Sequence, residues 1–473
     1  MARKPGVRIE KDSMGTVNVP EKAYYGASTM RAVFNFPISS LRFSRSFIKA
    51  LALIKLAASE TNAELGLLDK SIRNAIRKAA REVADGHFDT EFVVDVFQTG
   101  SGTSTNTNVN EVVANRASEI LCGNRRTDMV HPNDHVNMGQ SSNDVIPTAL
   151  HLSAITQIKE ELIPALEELK SVLEKKVLEF WPIIKTGRTH LQDATPIRLG
   201  QEFNGYAGQV ERSINGLQHT QKILSEVAIG GTAVGTGVNT HPEFATRVCK
   251  ILSREIGINI TESTNHFQAQ STLDSVVQCS SSLRTVAIAL GKIANDIRWL
   301  ASGPQAGLGE LSISAVQPGS SIMPGKVNPV IIESVIQVTA QVLGNDLTVS
   351  LAGQGGYFEL NTMMPVAAFN LLQSITLIST STRNFANRCV SDIKATNVGP
   401  NLVEQGLMLA TALSPAVGYD KAADIAKKAS ISGRTIREVA KEHTTLTDFQ
   451  IDNLLNVQNM TEPGLPTRPK SSN

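Results

Sequence analysis

Apolar residues recur through the middle of this chain at steps of three and four, the spacing of one face of an α-helix. Leu283, Val286, Leu290, Ile293, Ile297 and Leu300 keep that rule without a break. Leu162, Leu166, Leu169, Leu173 and Val177 keep it nearly as well, and Val210, Ile214, Leu217 and Leu224 continue it. Residues 330–351 and 365–380 read as two further helices. Side chains three and four apart stack on one helix face, so each seam is a stripe that has to be covered. Several long stripes predict a mainly α fold, a bundle of long and roughly antiparallel helices. Period-two alternation is scarce, and residues 92–97 are the chief candidate for a short strand. With only 5% aromatic residues, the core has to be built from aliphatic side chains.

Polar interruptions suggest three segments. Residues 124–137, containing RRTD and HPND, close a mostly helical N-terminal domain, 1–140. Residues 141–396 form the long-helix bundle. Asn397, Gly399 and Pro400 favour a hinge into a small C-terminal helical domain, 397–473. The tail from Thr461 is rich in Pro, Ser and Lys and reads as frayed.

Charge then narrows the function. Lys and Arg total 45 against 44 for Asp and Glu, a net charge of +1 over 473 residues. That balance leaves no footprint for nucleic acid or an anionic membrane. An enzyme for anionic substrates would have to concentrate positive potential locally. The longest apolar runs, such as 50–54 ahead of Lys55, are too short to span a bilayer. The N-terminus MARKPGVRIEKD has no apolar h-region. Cys122, Cys249, Cys279 and Cys389 are dispersed, with no C-x-x-C pair, and read as buried reduced thiols. The expected compartment is the cytoplasm, or the mitochondrial matrix if a transit peptide has been removed.

Five segments break the helical pattern with glycine and small polar residues. They are TGSGTSTN (99–106), HPNDHVN (131–137), GQSSND (139–144), GRTHLQDATP (187–196) and PGSSIMPGKVNP (318–329). Each lies just ahead of a helical pattern. Asn328 can cap a helix that has Pro329 at its first position, and Thr195 with Pro196 repeats the arrangement. Helix N-termini offer free N–H groups and partial positive charge, so several together, with one lysine, can cage a dicarboxylate without net basic charge. Taken singly, each segment is usually only a cap or a turn. HPNDHVN brings His131, Asp134 and His135 near one another but supplies no further metal ligand, so no metal is expected. Residues 319–326 imitate a phosphate loop, yet five residues separate the glycines and Val327 stands where Ser or Thr belongs. GGTAVGTG (230–237) lacks the strand that precedes a dinucleotide site. No cofactor is expected.

GSSIMPGKVNP (319–329) resembles the signature of the aspartase/fumarase superfamily over eleven consecutive residues. GSGT, HPNDHVN, QSSND, GRTHLQDA, GGTAVGTG, KIANDIRWLASGP and GYDKAA narrow the resemblance to the class II fumarases, in the family's order. What it implies is a three-domain, mostly helical subunit whose central helices join three others in a homotetrameric core. It also implies active sites that gather segments from three subunits. The implied activity is the reversible hydration of fumarate to (S)-malate, a step of the tricarboxylic acid cycle, through an aci-carboxylate intermediate. On that resemblance His190 and Ser320 are the acid/base positions, and Glu333 is the carboxylate that orients the histidine. Ser101, Gly102, Thr103, Ser141, Ser142, Asn143, Thr189, Ser321, Lys326, Val327 and Asn328 are the implied substrate contacts. His131, Pro132, Asn133 and Asp134 match a second dicarboxylate site.

Two alternatives stay open. An aspartate ammonia-lyase shares this fold, and residues 330–333 and SAVQ (314–317) lean that way. His190 and the Ser141–Ser142 pair lean against it, since the aspartase pattern has Gln and Ser-Thr there. The other alternative is a catalytically silent structural homologue, which a broken motif would reveal; here every motif position is filled.

Overall fold

The computed structural model describes residues 6–125 and 129–464. Residues 126–128 of the RRTD break and the tail beyond Gly464 lie outside the described residues. Among those described, seventeen α-helices account for most of the chain, and strands are confined to five two-stranded pairs. This is the mainly α architecture that the apolar spacing predicts. Contacts divide the chain into two compact units. One comprises Met1–Pro164, Ser213–Ala287 and Val338–Ser379, the other Ala165–Arg212, Ile288–Gln337 and Thr380–Asn473.

The first unit opens on an antiparallel hairpin, β1 (Val7–Asp12) and β2 (Gly15–Pro20). After α1 (Ala27–Asn35) comes α2 (Arg45–Glu64), buried on every side over residues 50–59, with Phe47, Leu51, Ile54, Ala57 and Ala58 fully buried. A helix buried all round belongs at the centre of its unit, and α3 (Lys70–Ala84), α4 (Thr103–Cys122) and α5 (Ser142–Gln157) pack against it. The start of α1 is held by the buried carboxylate of Glu111, which accepts from the N–H groups of Gly26, Ser28 and Thr29.

Next along the chain is α6 (Ile163–Phe180), followed by a hairpin of β3 (Ile184–Thr189) and β4 (Gln192–Arg198), then α7 (Leu199–Leu224). Two shorter helices, α8 (Phe244–Ile256) and α9 (His266–Ser271), return to the first unit. Three long helices, α10 (Asp274–Leu300), α11 (Val330–Gly353) and α12 (Met364–Arg388), carry residues of both units. All six residues of the α10 seam, from Leu283 to Leu300, are at most 6% exposed. Residues 407–461 build a small core of their own around Leu413, Ile425, Val439, Ile451 and Leu455, with capping boxes at Thr435 and Thr447 starting its last two helices. Among the described residues no helix is long and apolar enough to cross a membrane.

Four local expectations fail. Residues 92–97 form no strand; Asp95 satisfies the N–H groups of Ser39 and Phe97 instead, so this irregular stretch needs no ladder. Thr195 and Pro196 do not start a helix but lie in β4, where Pro196 sits opposite Thr186 beside a register shift. A two-stranded ribbon has free edges, and Pro is tolerated there because its missing N–H needs no partner. Leu162 is buried as the spacing predicts, yet it ends a π-helical turn, Ile158–Leu162, between α5 and α6. Cys122, expected to be buried, is exposed, because it is the last residue of α4 ahead of the left-handed Gly123; Cys249, Cys279 and Cys389 are buried and free, burial pushing their thiols up to about 12.

Candidate active site

In the first unit two helix N-termini meet. The start of α4 is shaped by glycines: Gly102 caps it with φ +73, and a Cβ on Gly100 would lie 1.9 Å from the Thr362 carbonyl oxygen. Gly100 in turn accepts from the N–H of Met364. The start of α5 is a capping box, with Ser141 Oγ accepting from Asn143 N–H and Asp144 accepting from Ser141 N–H. The two ends are joined by hydroxyls: Ser101 Oγ lies 2.7 Å from Thr103 Oγ1, which lies 2.7 Å from Ser142 Oγ. Asn143 Nδ2 donates to the Ala233 carbonyl at 2.8 Å, tying in the glycine-rich 230–237 segment. Thr103, Ser141 and Ser142 line an open cavity of about 400 Å³ that extends to Asn133.

Asp144, wholly buried, holds this arrangement. Its Oδ1 accepts from Ser141 N–H, and its Oδ2 accepts from Gly230 and Thr232 N–H, each at 3.0 Å. Burial raises its pKa to about 6 against those three donors and the nearby Lys55 ammonium. Asp144→Ala strands three backbone N–H groups and a buried cation. It should cost roughly 3–5 kcal/mol of unfolding free energy. An unshifted denaturation midpoint would contradict that role.

The HPNDHVN segment forms a π-helical turn, Pro132–Val136, capped by His131. His131 Nδ1 accepts from Asn133 and Asp134 N–H at 3.3 and 3.1 Å, the donors an anion would otherwise meet.

In the second unit His190 and Leu191 form the two-residue tip of the β3–β4 hairpin, with Thr189 opposite Gln192. Their φ angles are 57° and 58°. Positive φ at both central residues is the pattern of the tight hairpin turn that favours Asn-Gly. Holding His and Leu there costs of order 1–2 kcal/mol each, strain of a kind that collects at functional sites. Ion pairs tie strand β3 below the tip: Lys185 Nζ lies 2.8 Å from both Glu202 and Glu310, and Arg188 donates to Glu310 at 2.6 Å. Thr189 and His190 are presented outward, exposed in the single chain.

The 318–329 loop closes on itself. A Cβ on Gly319 would lie 2.0 Å from the Lys326 carbonyl oxygen, so only glycine fits there. Asn328 Nδ2 donates to the Gly319 carbonyl at 2.5 Å. Ser320 Oγ accepts from two backbone N–H groups, Met323 at 2.9 Å and Ile322 at 3.2 Å. Ser320, Lys326 and Val327 line one open hollow, with Ser321 exposed beside it. Glu333 lies exposed in the first turn of α11, and within the described residues of one chain no hydrogen bond joins it to His190. Among the described residues no group of three or more His, Cys, Asp or Glu side chains is placed to hold a metal.

The sequence reading overlooked Lys55, the structural weight of Asp144, and the Lys185–Glu310–Arg188 support under His190. The available signal for Lys55 was a single lysine inside the apolar run 50–58.

Comparison with known proteins gives the family. Residues 15–344 match the Lyase family model and residues 409–462 the Fumarase C C-terminus model. The chain is 50% identical over 457 residues to a class II fumarate hydratase of Nitrosomonas europaea, covering 96% of this chain and 99% of the relative. It is 49% identical to a second such enzyme, from Bradyrhizobium diazoefficiens, covering 98% of both. The crystal structure of a class II fumarase from Schistosoma mansoni superposes with a TM-score of 0.94 at 40% identity, over 96% of this chain and 99% of that one. With likeness of this extent running through both family models, the chain belongs to the class II fumarate hydratase family.

Proposed function

We propose that the chain adds water reversibly across fumarate to give (S)-malate, with Ser320 as carbon base and His190 as the acid/base group at oxygen. The observation that carries the assignment of Ser320 is the pair of backbone N–H groups on its Oγ. A free serine hydroxyl is far too weak a base at neutral pH. Two N–H donors and the lysine of the same loop lower the cost of its alkoxide, as an oxyanion hole does.

In the malate-to-fumarate direction, Ser320 takes the proton beside a carboxylate, and the electron pair moves into that carboxylate to form the aci-acid. Lys326, Asn328 and nearby helix N–H groups hold the added charge. His190 then gives a proton to the leaving hydroxide, directly or through a water. Glu333, contributed by another subunit, orients His190. Ser101, Gly102, Thr103, Ser141, Ser142, Asn143, Thr189, Ser321 and Val327 complete the dicarboxylate cage. The subunit works as three segments, 1–140, 141–396 and 397–473, in a homotetramer. That assembly is supported by an uncovered stripe on α11, where Leu343, Leu347 and Leu351 are 39%, 62% and 54% exposed. Free buried thiols fit a cytoplasmic setting.

Incubation with malate, aspartate or neither, followed by ultraviolet absorbance, tests the reading. Fumarate should form from malate alone. Formation from aspartate would make the chain an ammonia-lyase, and no change in any sample would make it silent.

The chemistry needs no Lewis acid, because each charge that develops has a protein donor in this scheme. Exhaustive dialysis against a chelator should therefore leave turnover intact, and a large loss restored by a divalent cation would contradict it.

His131, Pro132, Asn133 and Asp134 form a second dicarboxylate site, of which Asn133 also lines the cavity that Ser141 and Ser142 share. His131→Asn should keep turnover within about twofold while removing a second bound dicarboxylate in equilibrium dialysis. A collapse of turnover would mean that the 131–134 segment and the catalytic groups act as one site.

A further inference from the structure

Lys55 is wholly buried in the apolar core of α2, and no step of the reaction above uses it. Its Nζ donates to Asn106 Oδ1 at 2.8 Å, Asn137 Oδ1 at 2.9 Å and Gln140 Oε1 at 2.9 Å. An ammonium has three N–H donors and no acceptor, so these three oxygens satisfy it fully. The cation in turn fixes which way each amide faces, and the web continues outward. Asn137 Nδ2 donates to the Gln140 carbonyl, and Gln140 Nε2 donates to the carbonyls of Val136 and Met138. Asn106 lies one turn beyond Thr103 on α4, and Gln140 immediately precedes the Ser141 cap of α5. One side chain therefore fastens the start of α4 to the segment that delivers α5.

The three amides also line the cavity that Thr103, Ser141 and Ser142 share, and every other residue of its lining is uncharged. Asp144 spends its carboxylate on backbone N–H groups, which leaves Lys55 as the cation behind the wall. Burial draws the Lys55 pKa down to about 7, with Asp144 opposing. A dianion entering the cavity pulls in the same sense as Asp144, and the coupling is reciprocal: what stabilises the ammonium is bound more tightly by it.

We propose that Lys55 is a positioning residue of the dicarboxylate cavity, locking the α4 and α5 N-termini in register and supplying the positive charge beneath them. The proposal rests on the hydratase reading only for the identity of the dianion. Its test uses the full-length chain with Lys55→Met, which removes the charge, and Gln140→Leu, which keeps the charge and removes one anchor. Binding of succinate, an unreactive dicarboxylate, is measured by equilibrium dialysis, and kcat and KM for malate alongside it. Lys55→Met should raise both the succinate Kd and the malate KM about tenfold or more, with kcat changed by less than about threefold. Gln140→Leu should raise both constants about three- to tenfold, and it decides the matter if Lys55→Met does not fold. Either variant folded with unaltered Kd and KM overturns the proposal, as does a fall in kcat alone. Dialysis does not depend on turnover. An unsubstituted chain that binds succinate yet hydrates nothing would sink the hydratase reading and leave Lys55 to be judged on binding.

Discussion

His190→Asn should lower kcat for malate by roughly 10²–10⁴ while changing the Kd of a dicarboxylate inhibitor little, because a proton-transfer group acts mainly in the transition state. Asparagine is a sharp choice at this position. It tolerates the left-handed backbone that φ 57° imposes, so the hairpin tip should keep its shape while losing the imidazole. The ion pairs of Lys185 and Arg188 with Glu310 lie on strand β3 below the tip and are untouched. Thermal unfolding should accordingly be nearly unchanged. Should the variant keep its turnover and only raise KM, His190 would be a binding residue and the acid/base assignment would fall.

A comparably large effect is expected from mixing two dead proteins. His190 stands on an exposed hairpin tip and has no hydrogen bond to Glu333 within its own chain's described residues. Leu343, Leu347 and Leu351 form an exposed apolar stripe on α11. His190→Asn and Lys326→Met should each be inactive alone. Unfolded together and refolded, they should recover about a quarter of the unsubstituted activity if every site draws the two residues from different chains of a symmetric closed oligomer. If both residues come from one chain, no mixed oligomer holds a complete site, and the mixture stays as inactive as its parents.

What could be read in the sequence follows from the range of the forces involved. The seam of α10 was legible because six residues obey one period over a length that only a helix can bury. The loops were legible because Gly319 and Gly102 mark backbone positions where nothing larger fits. The hairpin under His190 was not. Its tip holds His and Leu rather than Asn-Gly, so the local code points away from the turn that Lys185, Arg188 and Glu310 impose from below. Pro196 misled for the same reason: it looks like a helix start until the partner strand is seen. Lys55 was hidden more deeply. Its partners Asn106, Asn137 and Gln140 lie between 51 and 85 residues away along the chain, and no spacing rule reaches that far. Polar contacts brought together by packing have no periodicity, which is why the candidate segments were visible and their supports were not.

The most direct test of the account is the reaction itself. The purified chain is incubated with fumarate in deuterated water and followed by proton NMR. The account predicts conversion to (S)-malate carrying a single deuterium at the methylene carbon, in one configuration only, since one base on one face delivers it. Fumarate left unchanged, or malate with deuterium scrambled over both methylene positions, would contradict the account.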